Sequence, residues 1–172
     1  FAGVTAVHVF TANGMFDPDN TGVGHQPRGF DQLMVLYDHY VVIGAKITVD
    51  FIPSSGTSVN GEVGVALRDS NTVDEANDYI EGGNVMYSYM SGNAGYQTRL
   101  VYQVNPNKFL GRSKPLADPN CKGSQTTNPA ELAFFHVFAT NPIGGEVLQP
   151  VCACVLIEYT AILIEPRVPT QS

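Results

Sequence analysis

The sequence predicts an all-β fold: an antiparallel eight-stranded jelly-roll sandwich with short helices in its loops. Three observations carry this. Runs of alternating apolar and polar residues recur along the chain, the period of a strand with one buried face. Turn formers are dense, with 17 Gly and 11 Pro in 172 residues. No strand–helix–strand alternation is present, which excludes a parallel sheet. Two amphipathic sheets must then cover one another. Long, unequal connections favour a jelly roll over an immunoglobulin sandwich, whose Cys-Trp-Cys signature is impossible in a chain without Trp.

The elements follow in order. Gly3 to Thr11 reads as a strand that Asn13-Gly14 ends, and Met15 to Gly29 is a long loop. Phe30, Leu33, Met34, Tyr37 and Val41 fall on one helical face, which predicts a helix from Phe30 to about Tyr40 with Asp31 in its first turn. From Val41 to Phe51 the period changes to two, with Val41, Ile43, Ala45, Ile47, Val49 and Phe51 on one face. Glu62 to Arg68 alternates again. Thr72-Val73-Asp74-Glu75 has the capping-box pattern and predicts a short helix as far as Glu81, stopped by Gly82-Gly83.

Asn84 to Met90 and Tyr96 to Val104 read as strands whose spacing fits a hairpin. Asn105 to Pro129 carries Pro106, Pro115, Pro119 and Pro129 and no sustained period, so it reads as loop. Glu131 to Thr140 and Val151 to Glu165 complete the strands, the last apolar on both faces. Residues 1–166 make the domain and 167–172 a tail.

Composition narrows the function. Charged residues make up only 15% of the chain, low for a free surface, so much of that surface is expected to be covered. The net charge is −7 and the nine basic residues read as scattered, a poor basis for contacting phosphates. Because the chain opens on Phe1 and enters a strand at once, a preceding segment is expected.

Motifs for catalysis are missing: the sequence holds no G-x-S-x-G, P-loop, G-x-G-x-x-G or H-E-x-x-H. No enzymatic activity is expected. His8 and His136 lie on strands that might share a face, but two distant histidines without a carboxylate pattern read as hydrogen-bonded side chains. Cys152 and Cys154 share a strand face and read as small apolar residues on a packed face. Asp17-Pro18-Asp19-Asn20-Thr21-Gly22 begins like a calcium loop and then fails, since Arg28 stands where a bidentate Glu is needed. It reads as a turn. Asp17 and Asp19 are the only calcium candidates, and then only for an ion completed by a second subunit.

One stretch is more specific: Gly24-His25-Gln26-Pro27-Arg28-Gly29-Phe30-Asp31-Gln32-Leu33, then Leu36-Tyr37-Asp38-His39-Tyr40, then Ile43-Gly44-Ala45-Lys46-Ile47. It resembles a segment of the single jelly-roll capsid proteins of circular Rep-encoding single-stranded DNA viruses, circovirus-like in the broad sense. Small RNA virus coat proteins show a looser version. Glu158-Tyr159-Thr160-Ala161 and Glu165-Pro166-Arg167-Val168 resemble the last strand of the same proteins.

The resemblance implies identical subunits assembling into an icosahedral T=1 shell around the viral genome, located in the virion and, during assembly, in the host cell and its nucleus. It marks His25, Gln26, Pro27, Gly29, Phe30, Asp31, Tyr37, Tyr40 and Gly44 as motif residues. Phe30 and Tyr37 would plug one end of the sandwich. Lys46 and Arg28 are the candidate contacts to nucleic acid. Such proteins carry a basic arm before the first strand, which is expected upstream of residue 1 as the main contact to the genome. A carbohydrate-binding jelly-roll module is the alternative, with Tyr87, Tyr89 and Tyr96 as its aromatic platform.

Overall fold

The structure is a computed structural model and describes residues 5–54, 59–74, 76–92, 97–141 and 150–168. Seven strands form two sheets: β1 (Thr5–Thr11), β2 (Tyr37–Pro53), β3 (Val59–Arg68), β4 (Val85–Gly92), β5 (Thr98–Val104), β6 (Phe134–Thr140) and β7 (Val151–Pro166). The four-stranded sheet has the order β1-β6-β3-β4 and the three-stranded sheet β5-β2-β7. Three short helices interrupt them: α1 (Phe30–Met34), α2 (Ala76–Glu81) and α3 (Pro106–Phe109). The all-β jelly roll is therefore observed, with seven strands among the described residues where eight are expected. Each alternating run supplies one strand, and the proline-rich stretch from 105 to 133 supplies none. No helix among the described residues is long and apolar enough to cross a membrane.

Three local expectations need correction. The helix after Phe30 ends at Met34, and β2 begins at Tyr37, before the predicted end of the helix. Tyr37, Tyr40 and Val41 match a helical face and a strand equally well, and the β-branched run Val41-Val42-Ile43 extends the strand backwards. Leu33, on the predicted buried face, is 49% exposed. Next, β4 and β5 form no hairpin. β4 pairs antiparallel with β3, from Val59 opposite Gly92 to Ala66 opposite Val85, and β5 lies in the other sheet. Finally, α2 starts four residues beyond Thr72, whose N–H instead donates to Ser70 Oγ. Glu75, the other half of the expected capping box, lies outside the described residues.

The chain divides into two compact units. The first comprises Phe1–Val9, Lys46–Tyr102 and Phe135–Ile157, and the second Phe10–Ala45, Gln103–Phe134 and Glu158–Ser172.

In the first unit, β6 is buried on both faces. Phe135 meets Tyr102 of the other sheet at 6.4 Å between ring centroids. On the opposite face, Tyr79 of α2 stacks on Phe138 at 5.0 Å and packs with Ala66, Val7 and Val85. Gly64 is required on this face, since a Cβ there would lie 2.3 Å from the Phe138 ring. His136 is fully buried, accepts from the Tyr79 hydroxyl at Nδ1 (2.8 Å) and donates from Nε2 to Ser70 O (2.8 Å). It is a hydrogen-bonded core histidine.

In the second unit the core gathers Met15, Phe30, Met34, Tyr40 and Val42, with Phe16, Tyr159, Ala161 and Leu163 packed against it. The sheets meet here through the Tyr159 hydroxyl, which donates to Thr11 O at 2.7 Å. On β7 the even positions face outward, so Cys152 and Cys154 are exposed rather than packed.

Candidate functional site

The stretch that reads as featureless loop is built with care. Asn105-Pro106 opens α3: Asn105 Oδ1 accepts from the Lys108 amide at 3.0 Å, and Pro106 occupies the first helical position. Gly111, at φ 69°, closes it. The Arg112 amide donates to Asn107 O and the Gly111 amide to Lys108 O, the paired bonds of a Schellman stop. The buried Asn107 side chain donates to Val42 O at 2.8 Å and ties this one-turn helix to β2.

Arg112 then reaches two carboxylates, Asp118 at 3.3 Å and Glu131. A cavity of about 380 Å³ lies against these residues. Four of the nine basic residues (Lys108, Arg112, Lys114 and Lys122) fall between 108 and 122.

The motif residues sit nearby in the same unit and mostly hold it together. The Tyr40 hydroxyl accepts from the Met15 amide at 3.0 Å and the Phe16 amide at 3.3 Å, and donates to Asn128 Oδ1 at 3.3 Å. Asn128 Oδ1 also accepts from the Phe16 and Asp17 amides, and its Nδ2 donates to Asp17 O. Burial pushes the Tyr40 pKa up to about 12, against the two amide hydrogen bonds. Phe30 packs edge-on to Tyr40 at 5.5 Å. Tyr40 and Gly123 exchange backbone hydrogen bonds at 2.9 Å, and a Cβ on Gly123 would lie 2.2 Å from the Tyr40 ring. Phe30 and Tyr40 pack together in this core, while Tyr37 is only half-buried.

The two motif stretches, far apart in sequence, clasp one another. Glu165 pairs with His39 and with Lys122 (2.6 Å), and the Lys122 and His39 bonds hold its carboxyl below the usual carboxylate range. Arg167 Nε reaches Asp38 at 2.6 Å and its amide donates to Leu36 O. Gly44 lies against Thr160 and Val104 O, and His25, Gln26, Pro27, Gly29 and Asp31 lie on the exposed or half-exposed approach to α1.

The remaining candidates do not converge. Lys46 is half-buried in the first unit and Arg28 exposed in the second. Asp19 Oδ1 accepts from the Thr21 amide (3.0 Å) and hydroxyl (2.8 Å), the turn that the sequence predicts. Among the described residues no three His, Cys, Asp or Glu side chains converge for a metal, and neither Asp17 and Asp19 nor His8 and His136 form such a group.

Apolar side chains stand in water in each unit. Met86, Tyr87 and Tyr89 (66% exposed) do so in the first, and Leu33, Val35 and Leu36 in the second.

No family model matches the chain, and no curated protein does. Solved structures do. One described as Cocksfoot mottle virus is 14% identical, covers 96% of this chain and 87% of its own, and has a TM-score of 0.50. Desmodium yellow mottle tymovirus is 10% identical, with coverage of 98% and 91% and a TM-score of 0.46. A T=1 subviral particle of a Penaeus vannamei nodavirus capsid protein deletion mutant is 9% identical, with coverage of 98% and 96% and a TM-score of 0.45. The Cocksfoot mottle virus structure carries the comparison, and at this identity the likeness is one of fold.

Proposed function

We propose that this chain is the coat subunit of a small icosahedral virus, with a single-stranded DNA genome inside the shell. The observation that carries the reading is a jelly roll that leaves large apolar side chains in water in each unit while only 15% of its residues are charged. Exposed groups such as Leu33, Val35 and Leu36, or Met86 and Tyr89, are what a subunit buries against its neighbours. A structural rather than enzymatic role fits the buried, fully partnered state of Tyr40 and His136. The choice of single-stranded DNA rests on the resemblance of residues 24–47 and 158–168, and brings with it the basic arm and assembly in the nucleus. An inter-subunit calcium at Asp17 and Asp19 stays part of the proposal.

Negative-stain microscopy of the purified chain tests it. Closed shells of about 60 subunits are expected, one jelly roll per asymmetric unit. Monomers only, across pH, salt and added calcium, would contradict it. Nuclease digestion of the contents of particles made in cells separates DNA from RNA.

The exposed Tyr87–Tyr89 pair favours the glycan-binding alternative. Its rings stand at 84° to one another, so they offer no flat double platform, and Tyr96 lies outside the described residues. A specific hit on a glycan array that Tyr89→Ala removes would support that alternative.

A further inference from the structure

We infer that the α3 loop is an oxyanion site that takes the backbone phosphates of a single-stranded nucleic acid. The cavity of about 380 Å³ is lined by Asn105, Asn107, Lys108, Gly111, Arg112 and Ser113, together with apolar Ile43 and Pro115. No carboxylate among the described residues lines it, in a chain where 16 acidic residues outnumber nine basic ones. A second depression of about 300 Å³ shares Gly111, Arg112 and Ser113 and adds Lys114. Its one carboxylate, Asp118, is held by Arg112.

Two ammonium groups here are unspent. Lys108 and Lys114 are exposed and make no ion pair among the described residues. Arg112 places its terminal nitrogens on Asp118 and Glu131, and its Nε is buried with no hydrogen-bond partner among the described residues. Such an orphaned donor costs stability unless a ligand or water completes it.

The frame is fixed before any ligand arrives. The Asn105 cap, the Schellman stop and the Asn107–Val42 bond hold the loop, so little ordering entropy opposes binding. Ammonium and guanidinium groups with amide and hydroxyl donors match a phosphodiester oxygen. Adjacent shared depressions suit successive phosphates of a flexible strand better than one small anion. The coat-subunit reading supplies the polymer; the anion site itself does not depend on it.

The test is fluorescence anisotropy with a labelled 20-nucleotide oligo-dT across a salt series. It compares the unaltered chain with the K108E/K114E double variant and with Q32E, which adds an exposed negative charge elsewhere in the unit. Both Lys side chains are exposed, so an unchanged melting temperature is expected and is checked first. The double variant should weaken binding at least tenfold and reduce the salt slope by about 1.4, the value for two phosphates on a single strand. Q32E should change affinity less than threefold, and inorganic phosphate should compete at millimolar concentrations.

Equal affinity of the double variant and the unaltered chain overturns the site, as does an equal loss in Q32E. Binding of a heparin oligosaccharide but not of oligo-dT overturns the choice of polymer. Shells that form while the double variant binds as before leave the coat reading standing and remove this one. Loss of binding in the double variant of a chain that never assembles does the reverse.

Discussion

Each unit pins a loop with a buried tyrosine, but the partners differ in kind. In the second unit the Tyr40 hydroxyl is held by two backbone amides and the Asn128 carbonyl, none of which titrates. In the first, the Asp74 amide donates to the Tyr79 hydroxyl, which donates to His136, which donates to Ser70 O. Each network is fully satisfied, yet only the His136 network, in the first unit, has a member that gains charge on mild acidification. The Tyr40 network is therefore insensitive to acid, and the one that holds loop 69–74 is not.

Steric change at Tyr40 should have the largest effect. Tyr40→Ala empties a fully buried site and takes the hydroxyl from the Met15 amide, so a loss of about 3–5 kcal/mol is expected in denaturant unfolding. Tyr40→Phe keeps the ring and should cost about 1–3 kcal/mol. If the two variants melt alike, the hydroxyl network and not the packing holds this unit.

Acid should separate the two networks. Burial, with Arg68 adding to it, holds the His136 pKa below 6.5, against the Ser70 carbonyl and Asp74. The unfolded chain then binds the proton more readily than the folded one, so stability is full above pH 6.5 and falls as pH drops below it. Hydrogen exchange corrected for intrinsic rates should show residues 69–81 losing protection at pH 5 while residues 11–17 keep theirs. In His136→Phe the stability difference between pH 7 and 5 should shrink; equal loss in both segments would erase the contrast.

Base should treat the units alike. Burial raises the pKa of Tyr40 to about 12 and also raises those of Tyr79, Tyr102 and Tyr159. A raised phenol stabilises fully below pH 10 and ceases to as pH climbs through its folded value. Absorbance at 295 nm should show a late-titrating class of tyrosines that moves to near 10 on unfolding.

A smaller change is expected at Glu62, which is 6% exposed, has Oε1 without a partner among the described residues, and has its pKa raised by burial. Glu62→Gln removes the charge and should raise the melting temperature by a few degrees at pH 7. Glu165→Gln, in the exposed clasp, should shift it least.

The sequence made much of this legible. Period-two runs located β2, β3 and β5, because strands with one buried face advertise it residue by residue, while β6 and β7 showed as runs of apolar residues. The boundary between α1 and β2 was hidden because Phe30 to Val41 satisfies both periods. Sheet partners were hidden too: β4 pairs backwards across α2, which no local spacing reveals. The Tyr40–Asn128 hub joins residues 88 apart in sequence and has no local signature. The α3 loop differs, for Asn105-Pro106 and Gly111 state its start and stop, and its basic residues were in plain view. It was passed over because a one-turn helix shows no period.

The most direct measurement is the mass of the purified chain in solution by mass photometry. Self-assembly into a closed shell predicts a dominant species of about 60 copies, on the order of 1 MDa for an 18.5 kDa chain. A single species at the monomer mass through every pH, salt and calcium condition would contradict it.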